Sequence, residues 1–158
     1  MIRPFALFLT LIAAPLAAKD SLGVFSDWGA FRDADVPRCY AIAQSTGRRT
    51  AKGYASVGTW PNQDVRGQIH LRLSRQLATN ANARLTVGAQ RFDLKTSGQD
   101  AWAQDKAMDA AIIAAMRAAT RMSVSATATN GRRFTDRYDL EGAATAMDAS
   151  LLGCSNQR

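Results

Sequence analysis

From residue 20 to residue 95, apolar and polar side chains alternate with a period of two, interrupted by turn residues. A segment patterned this way can bury one side of a strand and wet the other, but it cannot present a continuous apolar stripe as a helix. The cleanest case is 66–75, where Ile69, Leu71 and Leu73 point one way and Gln68, His70, Arg72 and Ser74 the other. Leu22, Val24 and Trp28 share one parity; 38–42 forms a second strand after a loop at 33–37; 54–60 forms a third, stopped by Pro61-Asn62. Leu85 and Val87 face Phe92 and Leu94 across Gly88-Ala89, the pattern of a hairpin. The period then changes. Residues 105–119 are rich in Ala, lack Gly, Pro and Thr, and place Met108, Ile112, Met116 and Ala119 on one stripe, which predicts an amphipathic helix. Asp105 suits its N-cap, Asp109 its positive dipole end and Arg117 its negative end. Met122, Val124 and Ala126 resume the alternation, Asn130-Gly131 predicts a hairpin turn into 134–140, and 143–152 forms a short helix. The sum is a mainly β chain of about eight strands and one or two helices, an antiparallel β-sandwich or partly open barrel with a helix packed on it.

Residues 1–18 have a different grammar: Arg3, an apolar stretch over 5–16 broken by Thr10 and Pro15, then Ala17 and Ala18. This is the pattern of a secretory leader, with cleavage expected near Ala18, and it is too short to span a bilayer. The expected domain is 19–158, without a transmembrane segment, periplasmic or secreted. In an oxidising compartment the only two cysteines, Cys39 and Cys154, most simply form one disulfide closing a loop of 115 residues. A reactive or metal-binding thiol is the alternative, and it lacks both a CxxC spacing and a second soft ligand.

The chain carries 20 Lys plus Arg against 13 Asp plus Glu, a formal charge of +7. Between residues 30 and 95 eleven basic residues face four acidic ones, whereas from Thr96 onward seven of each cancel. The charge thus belongs to the strands, where it serves solubility or meets an anionic envelope component or protein partner. Export argues against nucleic acid as the ligand. Trp60, Arg66, His70, Arg72 and Arg75 are the residues expected to line this face. Asp136 shares parity with Phe134, Tyr138 and Leu140, so it is a candidate buried polar residue that requires a partner, an Arg or backbone N–H groups.

Catalytic and cofactor motifs are sparse. One histidine and two cysteines leave few metal ligands, and there is no phosphate loop, dinucleotide fingerprint, HExxH or nucleophile elbow. No cofactor, metal or catalytic residue is therefore assigned. Two other readings stay open: a hydrolase of an envelope polymer using Asp136 with Asp139 or His70, and a small-ligand binder with a cavity between sheet and helix near Trp102.

Several stretches taken together resemble the invasion-associated locus B family of exported bacterial envelope proteins. They are Asp27-Trp28, Arg38-Cys39-Tyr40, and Trp102 with Asp105 and Asp109-Ala110-Ala111-Ile112. Ala115-Met116, the Asn130-Gly131 turn, 136–142 as Asp-Arg-Tyr-Asp-Leu-Glu-Gly, Ala146 and Cys154 complete the set. The chain departs from the family pattern in carrying only Cys39 where many relatives have a closely spaced early cysteine pair after the Trp. The resemblance implies an exported, envelope-associated, mainly β domain with no assigned catalytic residues, acting through interaction.

Overall fold

A computed structural model describes residues 19–47 and 50–155; the leader expected over 1–18 lies outside the described residues. Ten strands are all paired antiparallel: β1 (Asp20–Phe25), β2 (Trp28–Asp33), β3 (Arg38–Gln44), β4 (Tyr54–Trp60), β5 (Val65–Arg72), β6 (Ala83–Val87), β7 (Gln90–Ser97), β8 (Asp100–Trp102), β9 (Arg121–Thr127) and β10 (Arg133–Asp139). Two helices, α1 (Lys106–Ala118) and α2 (Ala143–Ser155), complete the fold. The strand order is β1-β2-β3-β4-β5-β8-β7-β6-β9-β10, so the sheet is open at β1 and β10.

This is the expected mainly β sandwich, with two differences in count. The alternation through Leu22, Val24 and Trp28 is not one strand: the chain reverses at Ser26-Asp27, Ser26 taking a left-handed φ of 53°, and Trp28 opens β2. The two-residue hairpin inverts the parity: Phe25 pairs with Trp28 and packs inward beside it, whereas Val24 is 71% exposed, so Val24 and Trp28 do not share a face and a periodicity carried across the turn misassigns them. The other addition is β8, three residues that carry too little pattern to stand out in the sequence.

β7 makes the sandwich. Its residues 90–94 pair with β6, while Lys95, Thr96 and Ser97 pair with β8. The sheet therefore folds over within one strand, and the layer of β1–β5 and β8 meets the layer of β6, β9 and β10. Ile69, Leu71, Leu85, Val124, Phe134 and Tyr138 fill the space between, with Ile112 and Met116 of α1 and Met147 of α2.

Asp105 caps α1 by accepting from the Met108 N–H at 2.8 Å. Asp109 does not merely face the helix dipole. Its Oδ1 accepts from the Ile69 N–H at 2.8 Å and so ties α1 to β5. Burial is the main cause raising its carboxyl above the ordinary range, partly offset by that hydrogen bond. The Arg117 guanidinium reaches Asp148 of α2 at 2.6 Å, which lowers the Asp148 carboxyl. α2 packs small residues, Ala143, Ala146, Ser150 and Cys154, toward the sheet. It is preceded by Gly142 (φ 80°), where an added Cβ would sit 2.0 Å from the Phe25 carbonyl oxygen, so only glycine fits.

Cys39 and Cys154 form a disulfide (S–S 2.05 Å) that fastens α2 to β3 across 115 residues. In the chain-entropy view a loop of this length is worth about 4–5 kcal/mol.

Candidate interaction face

On β3, β4, β5 and β8 large rings stand on the solvent side. The outward positions hold Tyr40, Tyr54, Trp60, His70 and Trp102, while the inward ones hold Ala41 and Ala43 on β3, Ala55 and Val57 on β4, Ile69 and Leu71 on β5 and Ala101 on β8. α2 packs on β2 and β3, where Ala30, Ala41 and Ala43 face inward beside the fully buried Trp28. The outward rings have no such core to fill.

Register brings them together. Ile42, Ser56, His70 and Trp102 are successive cross-strand partners, as are Tyr40, Gly58 and Gln68, and Tyr54, Arg72 and Asp100. The His70 and Trp102 rings stack with centroids 5.4 Å apart and planes at 23°, and Tyr54 meets His70 edge-on at 6.4 Å. Phe31 of β2 continues the row against Tyr40 at 5.7 Å, and the Arg38 guanidinium lies 4.9 Å above the Tyr40 ring. A bulge between Gly58 and Trp60 turns the Trp60 indole back over Gly58. A Cβ at position 58 would lie 2.6 Å from two indole carbons, so glycine is what lets the ring cover the sheet.

Charge is organised around the rings. Asp100 holds His70 Nε2 at 2.9 Å with one oxygen and receives Arg72 Nη1 at 2.8 Å with the other, while Arg72 Nη2 donates to Gln99 Oε1 at 3.2 Å. Asp33 accepts from Arg38 at 3.4 Å. Both carboxylates are thus engaged, and Lys19 and Arg38 line an open depression of about 420 Å³ whose lining holds no carboxylate.

Trp60 and His70 share this depression, and Arg72 stands beside it as the cross-strand partner of Tyr54. Arg66 is exposed at the start of β5 and Arg75 lies in the bend beyond it; neither lines the depression. Tyr40, Tyr54 and Asp100 belong to the face without having been marked in the sequence. The available signal was a large ring at a polar-parity position flanked by inward alanines; Asp100 had none, because its strand is three residues long.

The other readings find no such convergence. Asp136 is 3% exposed, its Oδ1 accepting from Ser74 Oγ at 2.6 Å and its Oδ2 from the Ser74 N–H at 2.8 Å. Asp139 alternates to the outside of the same strand, and His70 lies on the outer face of β5, so the three do not form one constellation. Burial, then the Asp136 charge, holds the neighbouring Tyr138 phenol well above its ordinary range. Trp102 lines the outer depression, whereas both helices pack on the inner side.

The outer face of the second layer is different. Arg84 and Thr86, Arg121, Ser123 and Ser125, and Arg133, Thr135 and Arg137 point outward from β6, β9 and β10. Three of these arginines come from beyond Thr96, so folding spreads the basic charge over both layers rather than confining it to the earlier strands. Arg84 pairs with Asp93 at 2.8 Å and Arg121 with Asp139 at 3.8 Å.

Among the described residues no group of three or more His, Cys, Asp or Glu side chains comes together, and no helix is long and apolar enough to cross a membrane.

A family model described as Invasion associated locus B (IalB) protein matches residues 32–151. None of the curated proteins matches this chain. The crystal structure of invasion associated protein b from Bartonella henselae has the same fold, with a TM-score of 0.61 over 85% of this chain and 96% of that one, at 15% identity.

Proposed function

Because the chain belongs to the invasion associated locus B family, we propose that it is an exported, envelope-associated domain that acts without catalysis. Its outer aromatic and basic face engages an anionic envelope component or protein partner. Residues 1–18 serve as the leader, cleaved near Ala18, and 19–158 form the single working domain.

The observation that carries this reading is the cluster of five outward rings that register gathers on β3, β4, β5 and β8, with cations at the margin. Outward rings that contribute nothing to a core cost solubility, and aromatic residues with arginine are the side chains that dominate binding surfaces. Engagement of Asp33 and Asp100 by neighbouring cations limits repulsion of an anionic partner.

The test places a photo-cross-linking residue at Tyr54 in intact cells and, as a control, at Arg137 on the opposite face. A discrete adduct from position 54 but not from 137, in the envelope fraction, is the expected result. Equal or absent adducts from both positions would sink the proposal. N-terminal sequencing of the recovered protein tests the leader, with Lys19 expected as the first residue.

A further inference from the structure

Taking the interaction face as its premise, we propose that the ligand is an anionic glycan, a saccharide chain bearing carboxylate, phosphate or sulfate groups. Three features select this chemistry. The first is the mixture of surfaces. Trp60 covering Gly58 and Trp102 stacked on His70 supply apolar ring area, and Gln68 and Ser56 stand between them with hydrogen-bonding groups. A pyranose ring has the same two-sided chemistry, C–H groups on its faces and hydroxyls around its rim. It can stack on a ring and hydrogen-bond beside it at once, as amphipathic aromatic surfaces favour.

Spacing is the second feature. Gly58 is two residues along the strand direction from the row of His70, and Trp102 is two strands away from β4. With a strand spacing of ~4.8 Å and a rise of ~3.4 Å, the two indole positions are about 12 Å apart. A short oligosaccharide spans that distance, lying across the strands on an open surface rather than entering a closed pocket.

The third is charge. Lys19 and Arg38 line the depression, whose lining holds no carboxylate, and Arg72 stands beside it across from Tyr54. A neutral glycan would make no use of this positive lining. A bilayer surface fits less well, because the rings occupy a depression and Ile42 is the only aliphatic side chain lining it. A stretched peptide could stack on the same rings, but it would not need cations at the margin unless it were acidic.

The experiment titrates the purified chain with three probes: oligogalacturonate, heparin oligosaccharide and deacylated lipopolysaccharide. Binding is followed by calorimetry and tryptophan fluorescence, and methyl-esterified oligogalacturonate provides the uncharged control. Saturable binding of at least one charged probe is expected. Trp60→Ala and Trp102→Ala should each weaken it about tenfold, with Trp60→Phe retaining most of the affinity. Arg72→Gln should weaken the charged probe but leave the esterified control unchanged. Thermal melting of each variant separates a binding defect from unfolding, and the phenylalanine variant keeps the test informative if an alanine variant folds poorly. Absence of saturable binding to all three charged probes, or equal affinity for wild type and both alanine variants, overturns the glycan assignment. An acidic peptide or a single-stranded oligonucleotide that binds this face when the glycans do not also overturns it. A discrete cross-link from Tyr54 to a protein, with no glycan binding, overturns the glycan and leaves the interaction face standing; failure of both experiments removes both.

Discussion

The outer face of β3, β4, β5 and β8 carries Tyr40, Tyr54, Trp60, His70 and Trp102, whereas that of β6, β9 and β10 carries arginines among serines and threonines and no outward ring among the described residues. Both are solvent sides of strands that share one interior, so stability asks the same of each: polar groups satisfied and no large apolar patch. The arginine face meets that requirement with pairs such as Arg84–Asp93 and the Ser125–Thr135 hydroxyl contact at 2.8 Å. The aromatic face departs from it. Basic charge, present on both, therefore does not distinguish a working surface here; rings placed where solvation would favour polar groups do.

The comparison requires that lesions inside the sandwich damage both faces, because both rest on the same core. The largest effect is expected from Cys39→Ser with Cys154→Ser, which frees α2 from β3. Unfolding free energy from urea denaturation should fall by about 2–5 kcal/mol. A loss below about 1 kcal/mol would mean that α2 is held by packing alone.

Asp136→Ala should follow, at about 2–3 kcal/mol, since it leaves the Ser74 N–H and hydroxyl buried without their acceptor. Asp136→Asn keeps one acceptor oxygen and should recover part of the loss. Equal losses from both variants would show that the carboxylate charge, rather than the acceptor geometry, is what the site uses.

A smaller effect separates the supports of the two faces. Asp109 holds the backbone of β5 next to His70, so α1 braces the aromatic face directly. Its carboxyl is raised in the fold, chiefly by burial, so the folded protein holds that proton more tightly than the unfolded chain. The associated stability is present below the ordinary carboxylate range and is lost as pH rises through the raised value. Asp109→Asn preserves an oxygen for the Ile69 N–H and removes the titration. Its stability should decline less than wild type as pH rises above the ordinary carboxylate range; parallel pH–stability curves would count against the burial argument.

Much of this architecture was legible in the sequence because local pattern and tertiary demand agree. Ile69, Leu71 and Leu73 alternate in the sequence and are buried in the fold; Asp105 marks the start of α1; Asn130-Gly131 turns β9 into β10. The aromatic face was legible only in part. Trp60, His70 and Arg72 sit in or beside strands whose polar parity is plain, but their meeting with Tyr40, Tyr54 and Trp102 depends on register among four strands. Register is a property of pairing and not of any one segment. Arg66 and Arg75 were grouped with them by nearness along the chain. Gly67, with a left-handed φ of 71°, interrupts β5 on one side, and the chain leaves the strand after Arg72 on the other. Charge totals along the sequence misled for a related reason: Arg121, Arg133 and Arg137 lie among acidic residues in sequence but on one face in space.

The smallest effect is the sharpest discriminator between contact and field. Arg91→Glu with Arg137→Glu reverses two exposed arginines of the second layer that make no ion pair among the described residues. Stability should change by no more than about 0.5 kcal/mol, as for other exposed substitutions free of special contacts. Two packed sheets stand ~10 Å apart, so these arginines lie more than that from any ligand on the aromatic face. At 0.15 M salt the screening length is about 8 Å, and affinity for an anionic ligand there should be unchanged within about twofold. At 0.01 M it grows to about 30 Å, and the same double variant should weaken binding as the distant charges enter the field. Arg72→Glu, by contrast, should weaken binding at both salt concentrations, because it removes a contact and not only a potential. If reversing Arg91 and Arg137 abolished binding at 0.15 M as Arg72→Glu does, the ligand would be touching the arginine face, and the functional distinction between the two surfaces would fall.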